Sequence, residues 1–302
     1  MTIRLAIVSP FYNNSHFIPI QIKSFRKNLK NCTWKLVVID DSNENTKNIL
    51  TNEKEDIKKV CDEFPDEVEY IKYPYEHSNP ADTPLKHRSI LNYMFREVSQ
   101  QLKDKYDYFL SLDADMVFIK PFDVEDIVSG YDFIGPKRIQ LLYWNQGSPD
   151  ASAIHYVWVH CLFMNLKTVT NVHDIDMNAI QGTTMDTGSL FAMFMRKNPQ
   201  YEYRITSYNG GFRIPSFCNF EFFYDNCILH FSGGSIWHND SEKIRTLHDD
   251  VKQFSQIVEN SLTNKDEQQI EQTRFQLYGD GIVSFMKRHL ATEEDLRRFN
   301  LF

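Results

Sequence analysis

Tyr108-Phe109-Leu110-Ser111-Leu112-Asp113-Ala114-Asp115-Met116-Val117-Phe118 is an apolar run broken by two carboxylates two residues apart. The first half reads as a buried strand, and the spacing lets Asp113 and Asp115 point to one side of the backbone. Paired carboxylates at a strand end suit a hard divalent cation that keeps open positions for phosphate oxygens. An ordinary turn with two solvated aspartates would read the same way. The surrounding sequence favours the metal reading.

Upstream, Ile3 to Val8 is a short apolar run that ends at Ser9-Pro10 and predicts a strand entering a loop. Ile18, Ile20, Ile22, Phe25 and Leu29 follow at helical spacing. Trp34 to Ile39 predicts a second strand, stopped by Asp40-Asp41-Ser42-Asn43, and residues 46–62 read as an exposed helix. Val68 to Tyr73 predicts a third strand and Pro74 to Pro84 a loop. Leu85 to Leu102 is an amphipathic helix carrying Ile90, Leu91, Met94, Phe95 and Val98 on one face. Tyr106 to Leu112 is the fourth strand. Strands alternating with helices predict an α/β fold, a mainly parallel sheet flanked by helices. Ligands of such sheets sit at the carboxyl ends of the strands. Three of those ends carry polar clusters: Ser9 to Asn14, Asp40 to Asn43 and Asp113 to Asp115.

The second half is less regular. Tyr131 to Ile134, Val157 to Asn165 and Asn226 to Phe231 predict strands with irregular sequence between them. From Ser241 the chain is helical in composition, in two amphipathic segments near 243–262 and 265–289. The expected division is one domain over 1–240, in halves 1–120 and 121–240, and a helical C-terminal extension over 241–302.

The net charge of −8 argues against a broad nucleic-acid or anionic-membrane surface, which would be repelled. The five cysteines form no C-x-x-C pair, so neither a zinc site nor a disulfide framework is indicated. Reduced thiols fit a cytoplasmic protein. The apolar start is too short for a signal-peptide core, and no stretch approaches the ~20 apolar residues that span a bilayer. A soluble protein, at most peripheral to a membrane, is expected.

Ala6-Ile7-Val8-Ser9-Pro10-Phe11-Tyr12-Asn13-Asn14 resembles the first strand and nucleotide loop of family-2-like glycosyltransferases of the GT-A fold. Leu36-Val37-Val38-Ile39-Asp40-Asp41-Ser42 resembles their second strand, and Leu112-Asp113-Ala114-Asp115 their Asp-x-Asp motif. The three occur in order over roughly the first 120 residues. The resemblance implies Pro10, Tyr12 and Asn13 at the base, Asp40 and Asp41 at the base and ribose, and Asp113 with Ala114 near ribose and metal. Asp115 is implied as the direct metal ligand. Lys86-His87-Arg88 opens the helix before the metal strand, where related enzymes often carry a basic residue. His87, with Ile90, Leu91 and Met94 beside it, reads as turned inward, while Lys86 and Arg88 read equally as a solvated face. Leu229-His230-Phe231-Ser232-Gly233-Gly234 resembles the later His-then-glycine segment of such enzymes. It implies His230 as a further metal ligand and Gly233 and Gly234 at the diphosphate, because glycine permits close backbone approach.

The implied activity is transfer of a sugar from a UDP- or GDP-linked donor to an acceptor hydroxyl on a glycan or lipid-linked saccharide. The catalytic domain would then have its nucleotide-binding half over 1–120 and its acceptor half over 121–240, and the C-terminal extension is expected to serve the acceptor side or self-association. Mn²⁺ or Mg²⁺ would assist, and a nitrogen ligand tilts the choice toward Mn²⁺. Inversion is expected, with Asp186 in Met185-Asp186-Thr187-Gly188 as general base; Asp174, Asp176, Glu221, His155 and His160 are its rivals. A retaining transferase of the same fold is the nearest alternative. A nucleotidyltransferase would need a glycine-rich loop after the first strand, and Ser9 to Ser15 has no glycine. A non-catalytic nucleotide-sugar-binding module would not need an intact Asp113, Asp115 and His230.

Overall fold

The computed structural model describes residues 2–47, 54–75, 83–142, 152–178, 187–206, 208–214 and 218–232. The chain runs β1 (Ile3–Phe11), α1 (Phe17–Asn28), β2 (Leu29–Lys30), β3 (Cys32–Asp40), α2 (Ile57–Asp62), β4 (Val68–Lys72) and α3 (Thr83–Tyr93). A π-turn over Met94–Val98 carries α3 into α4 (Ser99–Leu102). Then come β5 (Tyr108–Leu112), β6 (Met116–Phe118), β7 (Phe122–Asp123), α5 (Val124–Val128), β8 (Phe133–Leu142), β9 (Ser152–Val157) and β10 (Cys161–Asn165). A short 3₁₀ turn precedes α6 (Phe191–Lys197), β11 (Tyr203–Thr206), β12 (Tyr208–Ile214), β13 (Cys218–Phe223) and β14 (Ile228–Ser232).

The central sheet has the order β11-β8-β10-β5-β1-β3-β4, with β9 paired to β8. Its β4-β3-β1-β5 half is parallel throughout, and β10 is the antiparallel strand inserted between β5 and β8. This mixed, mainly parallel α/β architecture is consistent with the expected GT-A arrangement. Alternate residues of β1 feed two cores: Leu5 and Ile7 pack with α1 and α2, Ala6 and Val8 with α3 and α6. A strand buried on both faces must be apolar at every position, which explains the unbroken runs. A second, antiparallel sheet, β12-β13-β14-β6, begins immediately after the Asp113–Asp115 turn.

Several expectations change in detail. β1 continues through Ser9-Pro10 to Phe11, still paired with β3 at Phe11↔Asp40. Its pairing with β5 ends at Val8↔Ser111, so on that side Pro10 has no ladder bond to lose. Within 46–62 the described helix is confined to α2. Asp56 caps it by accepting from the Lys59 N–H at 3.0 Å, and Glu55 turns inward to Ser15 Oγ at 2.5 Å. Val157 to Asn165 is two strands joined by a turn at Trp158, Val159 and His160. The supposedly irregular segment before Asn226 contains β11, β12 and β13. The expected extension 241–302 lies outside the described residues.

Gly188 has φ +87°, and a Cβ there would lie 2.6 Å from Val159 Cγ2. Its close approach is thus to the β9–β10 turn. Gly188→Ala combines left-handed strain with overpacking and is expected to destabilise by about 2 kcal/mol or more, measured by urea unfolding.

Candidate metal centre

The parallel register brings the three polar strand ends together. Phe11 at the end of β1 lies opposite Asp40 at the end of β3, and the Asp41 N–H donates to the Phe11 carbonyl at 2.8 Å. On the other flank β5 delivers Asp113. The Asp113–Met116 segment is a turn closed by Met116 N–H donating to the Asp113 carbonyl at 3.1 Å, rather than a continuing strand. Buried Gln21 of α1 donates through Nε2 to the carbonyls of Asp113 (2.9 Å) and Met116 (3.0 Å). The sequence offered no sign of this clamp, because a buried glutamine reads as a polar helix position.

β14 pairs with β6 so that His230 lies opposite Met116. His230 Nε2 is then 3.2 Å from Asp115 Oδ1 and 3.8 Å from Asp113 Oδ2. On the far side of the ring, Nδ1 is 2.9 Å from Glu221 Oε2, because Glu221 is the cross-strand neighbour of His230 in β13. Burial alone would lower the His230 pKa. The Asp115 carboxylate, then Glu221 and Asp113, overcome that and push it up to about 10. A cation held by this nitrogen would compete with a proton for it, because only the neutral imidazole is a ligand.

His160 approaches from the β9–β10 turn, its Nδ1 3.0 Å from Asp113 Oδ1 and 2.9 Å from Oδ2. His87 of α3 stacks on it, ring centroids 4.8 Å apart, with Nε2 3.9 Å from Asp113 Oδ1. Burial pushes the Asp113 carboxyl up, but His160 and then His87 outweigh it and hold it well below the usual carboxylate range. Trp158 packs against both His160 and His230, at 4.7 and 5.5 Å between centroids. Its role was invisible while Val157 to Asn165 read as one strand.

The other predicted residues fall around this centre. Asn13 is buried, Pro10 and Tyr12 are half-buried, and Ala114 is buried. The buried Asp40 carboxylate accepts from Tyr70 OH (2.6 Å), Ser42 N–H (2.8 Å) and Ser42 Oγ (2.5 Å), and pairs with Lys72 Nζ at 3.0 Å. Those bonds fix its orientation, and a ligand reaching Asp40 must replace one of them. Arg88 is half-buried, and its Nε makes no hydrogen bond. The Lys86 and His155 side chains, Asp186, Gly233 and Gly234 lie outside the described residues. Of the rivals of Asp186 as base, Asp174 ends the 3₁₀ turn over Val172–Asp174 and Asp176 follows it.

Asp113, Asp115 and His230 place one ligand atom each within 4.8 Å of one another. Two carboxylates and an imidazole backed by a carboxylate form a donor set suited to a divalent cation. No protein-family model matches the chain, and no curated protein matches it. Among solved structures the chain is similar to core-mannan synthase A from Aspergillus fumigatus in its Mn/GDP form. That likeness has 11% identity and a TM-score of 0.36, over 54% of this chain and 59% of that one. Among the described residues, no helix is long and apolar enough to cross a membrane.

Gln21→Ala would strip two carbonyls of a buried donor, at a cost of about 2–4 kcal/mol. Thermal unfolding of the variant measures this, and Gln21→Glu should not restore the loss, since a carboxylate cannot donate to both.

Proposed function

We propose that this chain is a metal-dependent glycosyltransferase that moves a sugar from a nucleoside-diphosphate donor to an acceptor hydroxyl. The observation that carries the reading is the Asp113, Asp115 and His230 cluster at the carboxyl end of a parallel sheet, with Glu221 behind the histidine. Asp113, Asp115 and His230 would hold Mn²⁺ or Mg²⁺, which supplies the positive charge that stabilises a departing diphosphate.

The chain's own residues account for the rest. Pro10, Tyr12 and Asn13 at the end of β1, with Asp40 and Asp41 at the end of β3, hold the base and ribose. The Tyr70, Ser42 and Lys72 contacts keep Asp40 oriented for that task. Glu221 fixes the His230 ring so that Nε2 faces the carboxylates. Arg88, His87 and the glycines at 233 and 234 serve the diphosphate, and the second half of the chain, with the segment from Ser241, forms the acceptor side. The donor is UDP- or GDP-linked, and the acceptor a glycan or lipid-linked saccharide. Asp186 takes the acceptor proton from the face opposite the diphosphate, giving inversion.

The deciding experiment is a thermal-shift screen of nucleotide sugars with and without Mn²⁺. A ligand held at 100 times its Kd raises stability by about 2.7 kcal/mol. The expected result is a shift with UDP- or GDP-sugars that needs the cation and disappears in Asp115→Ala; no shift with any donor would end the proposal. Glu221→Gln should weaken Mn²⁺ affinity by about 10- to 100-fold while leaving the ion-free fold intact. Asp186→Asn should keep donor affinity yet lower turnover by about 10²-fold or more; near-native transfer would remove that residue from the role.

A further inference from the structure

We infer that a second divalent cation binds between His87, His160 and Asp113, sharing the Asp113 carboxylate with the cation assigned above. The inference extends that reading by adding a ligand set the sequence did not indicate. His87, Asp113 and His160 also place one ligand atom each within 4.8 Å of one another. Two imidazoles and one carboxylate are a set that binds Mn²⁺, Zn²⁺ or Fe²⁺ while leaving coordination positions open.

The two groups meet at one side chain. Asp113 Oδ1 faces His160 Nδ1 at 3.0 Å and His87 Nε2 at 3.9 Å. His160 Nδ1 also lies 2.9 Å from Oδ2, and Oδ2 is in turn 3.8 Å from His230 Nε2, the nitrogen that faces Asp115 at 3.2 Å. One carboxylate with imidazole nitrogens on both flanks has the disposition of a bridging ligand, and bridged ions sit about 3.5–4 Å apart. The His87 and His160 rings stack with centroids 4.8 Å apart and planes 27° apart, which holds both beside the Asp113 carboxylate.

The positions are also held by independent parts of the fold. Asp113 is pinned through its carbonyl by Gln21 and Met116, and through its N–H by the His160 carbonyl at 3.2 Å. His160 is packed between Trp158 and His87, and the same Trp158 packs on His230. A single aromatic wall thus sets the spacing of both imidazole groups. Asp113, Asp115 and Glu221 offset part of the charge of two dications, and a diphosphate would offset the rest. Two ions here would clamp phosphate oxygens from two directions, as in other two-metal sites.

The test is a Mn²⁺ titration of the metal-stripped full chain, counting bound ions by equilibrium dialysis and reading their spectrum by electron paramagnetic resonance. Two ions per chain with a spin-coupled, broadened spectrum are expected. His87→Ala should leave one ion with an uncoupled six-line spectrum. His87 is half-buried on α3, and His87→Gln provides a milder second variant, both checked for folding without metal by circular dichroism. Asp115→Ala should leave one ion as well, the one held by His87. A single wild-type ion that survives both His87 variants and is lost in Asp115→Ala would overturn the second site and leave the proposed function standing. A single ion lost in the His87 variants but kept in Asp115→Ala would support this site and remove the first. Binding of no ion would overturn both.

Discussion

The carboxylate of Asp113 is the point on which the rest of the site depends. It is placed by β5, held through its backbone by Gln21 of α1, and surrounded by imidazoles from α3, the β9–β10 turn and β14. A buried anion is tolerated only where charge or hydrogen bonds compensate it. Here histidines compensate it from segments 26 to 117 residues away in sequence, so the anion ties those segments together.

That convergence needs a frame that does not yield. In the parallel half, β1 from Leu5, β5 and the latter part of β3 are buried on both faces, with one set of side chains under α1 and α2 and the other under α3 and α6. Close-packed cores of this kind resist displacement. The second sheet starts where the Asp113–Asp115 turn ends, so β6 carries the register of the metal turn directly into β14 and His230. From there β13 brings Glu221 opposite the histidine. The ladder of β6, β14 and β13 therefore converts a turn geometry into a ligand geometry.

Much of the first half was legible because its signals are local. The apolar runs at Ile3, Trp34 and Tyr108 became β1, β3 and β5, and the stripe of Ile90, Leu91, Met94, Phe95 and Val98 is buried as its period implied. Errors arose where tertiary context overrides pattern. Pro10 reads as a strand stop but sits where only one flank of β1 is paired. Glu55, read as part of an exposed helix, lies before α2 and is drawn inward by Ser15. Val157 to Asn165 is apolar apart from His160 and Asn165 and has no glycine or proline, so its turn at Trp158 to His160 left no mark. In the second half, β11 to β13 carry polar and aromatic residues without clear alternation; β11 pairs with the distant β8, while β12, β13 and β14 pair in sequence order.

By itself the sequence determined the strand-ending acidic pairs, the helix faces and the presence of an Asp-x-Asp and a later histidine. These follow from hydrophobic period and residue chemistry within a few positions. Only the tertiary structure decided that Glu221 stands behind His230, that Gln21 clamps the Asp113 turn, and that His87 and His160 stack beside the same carboxylate. Each of those contacts joins residues brought together by sheet register and helix packing. Distances across a fold are set by the balance of all its packed parts, which no local window of the chain contains.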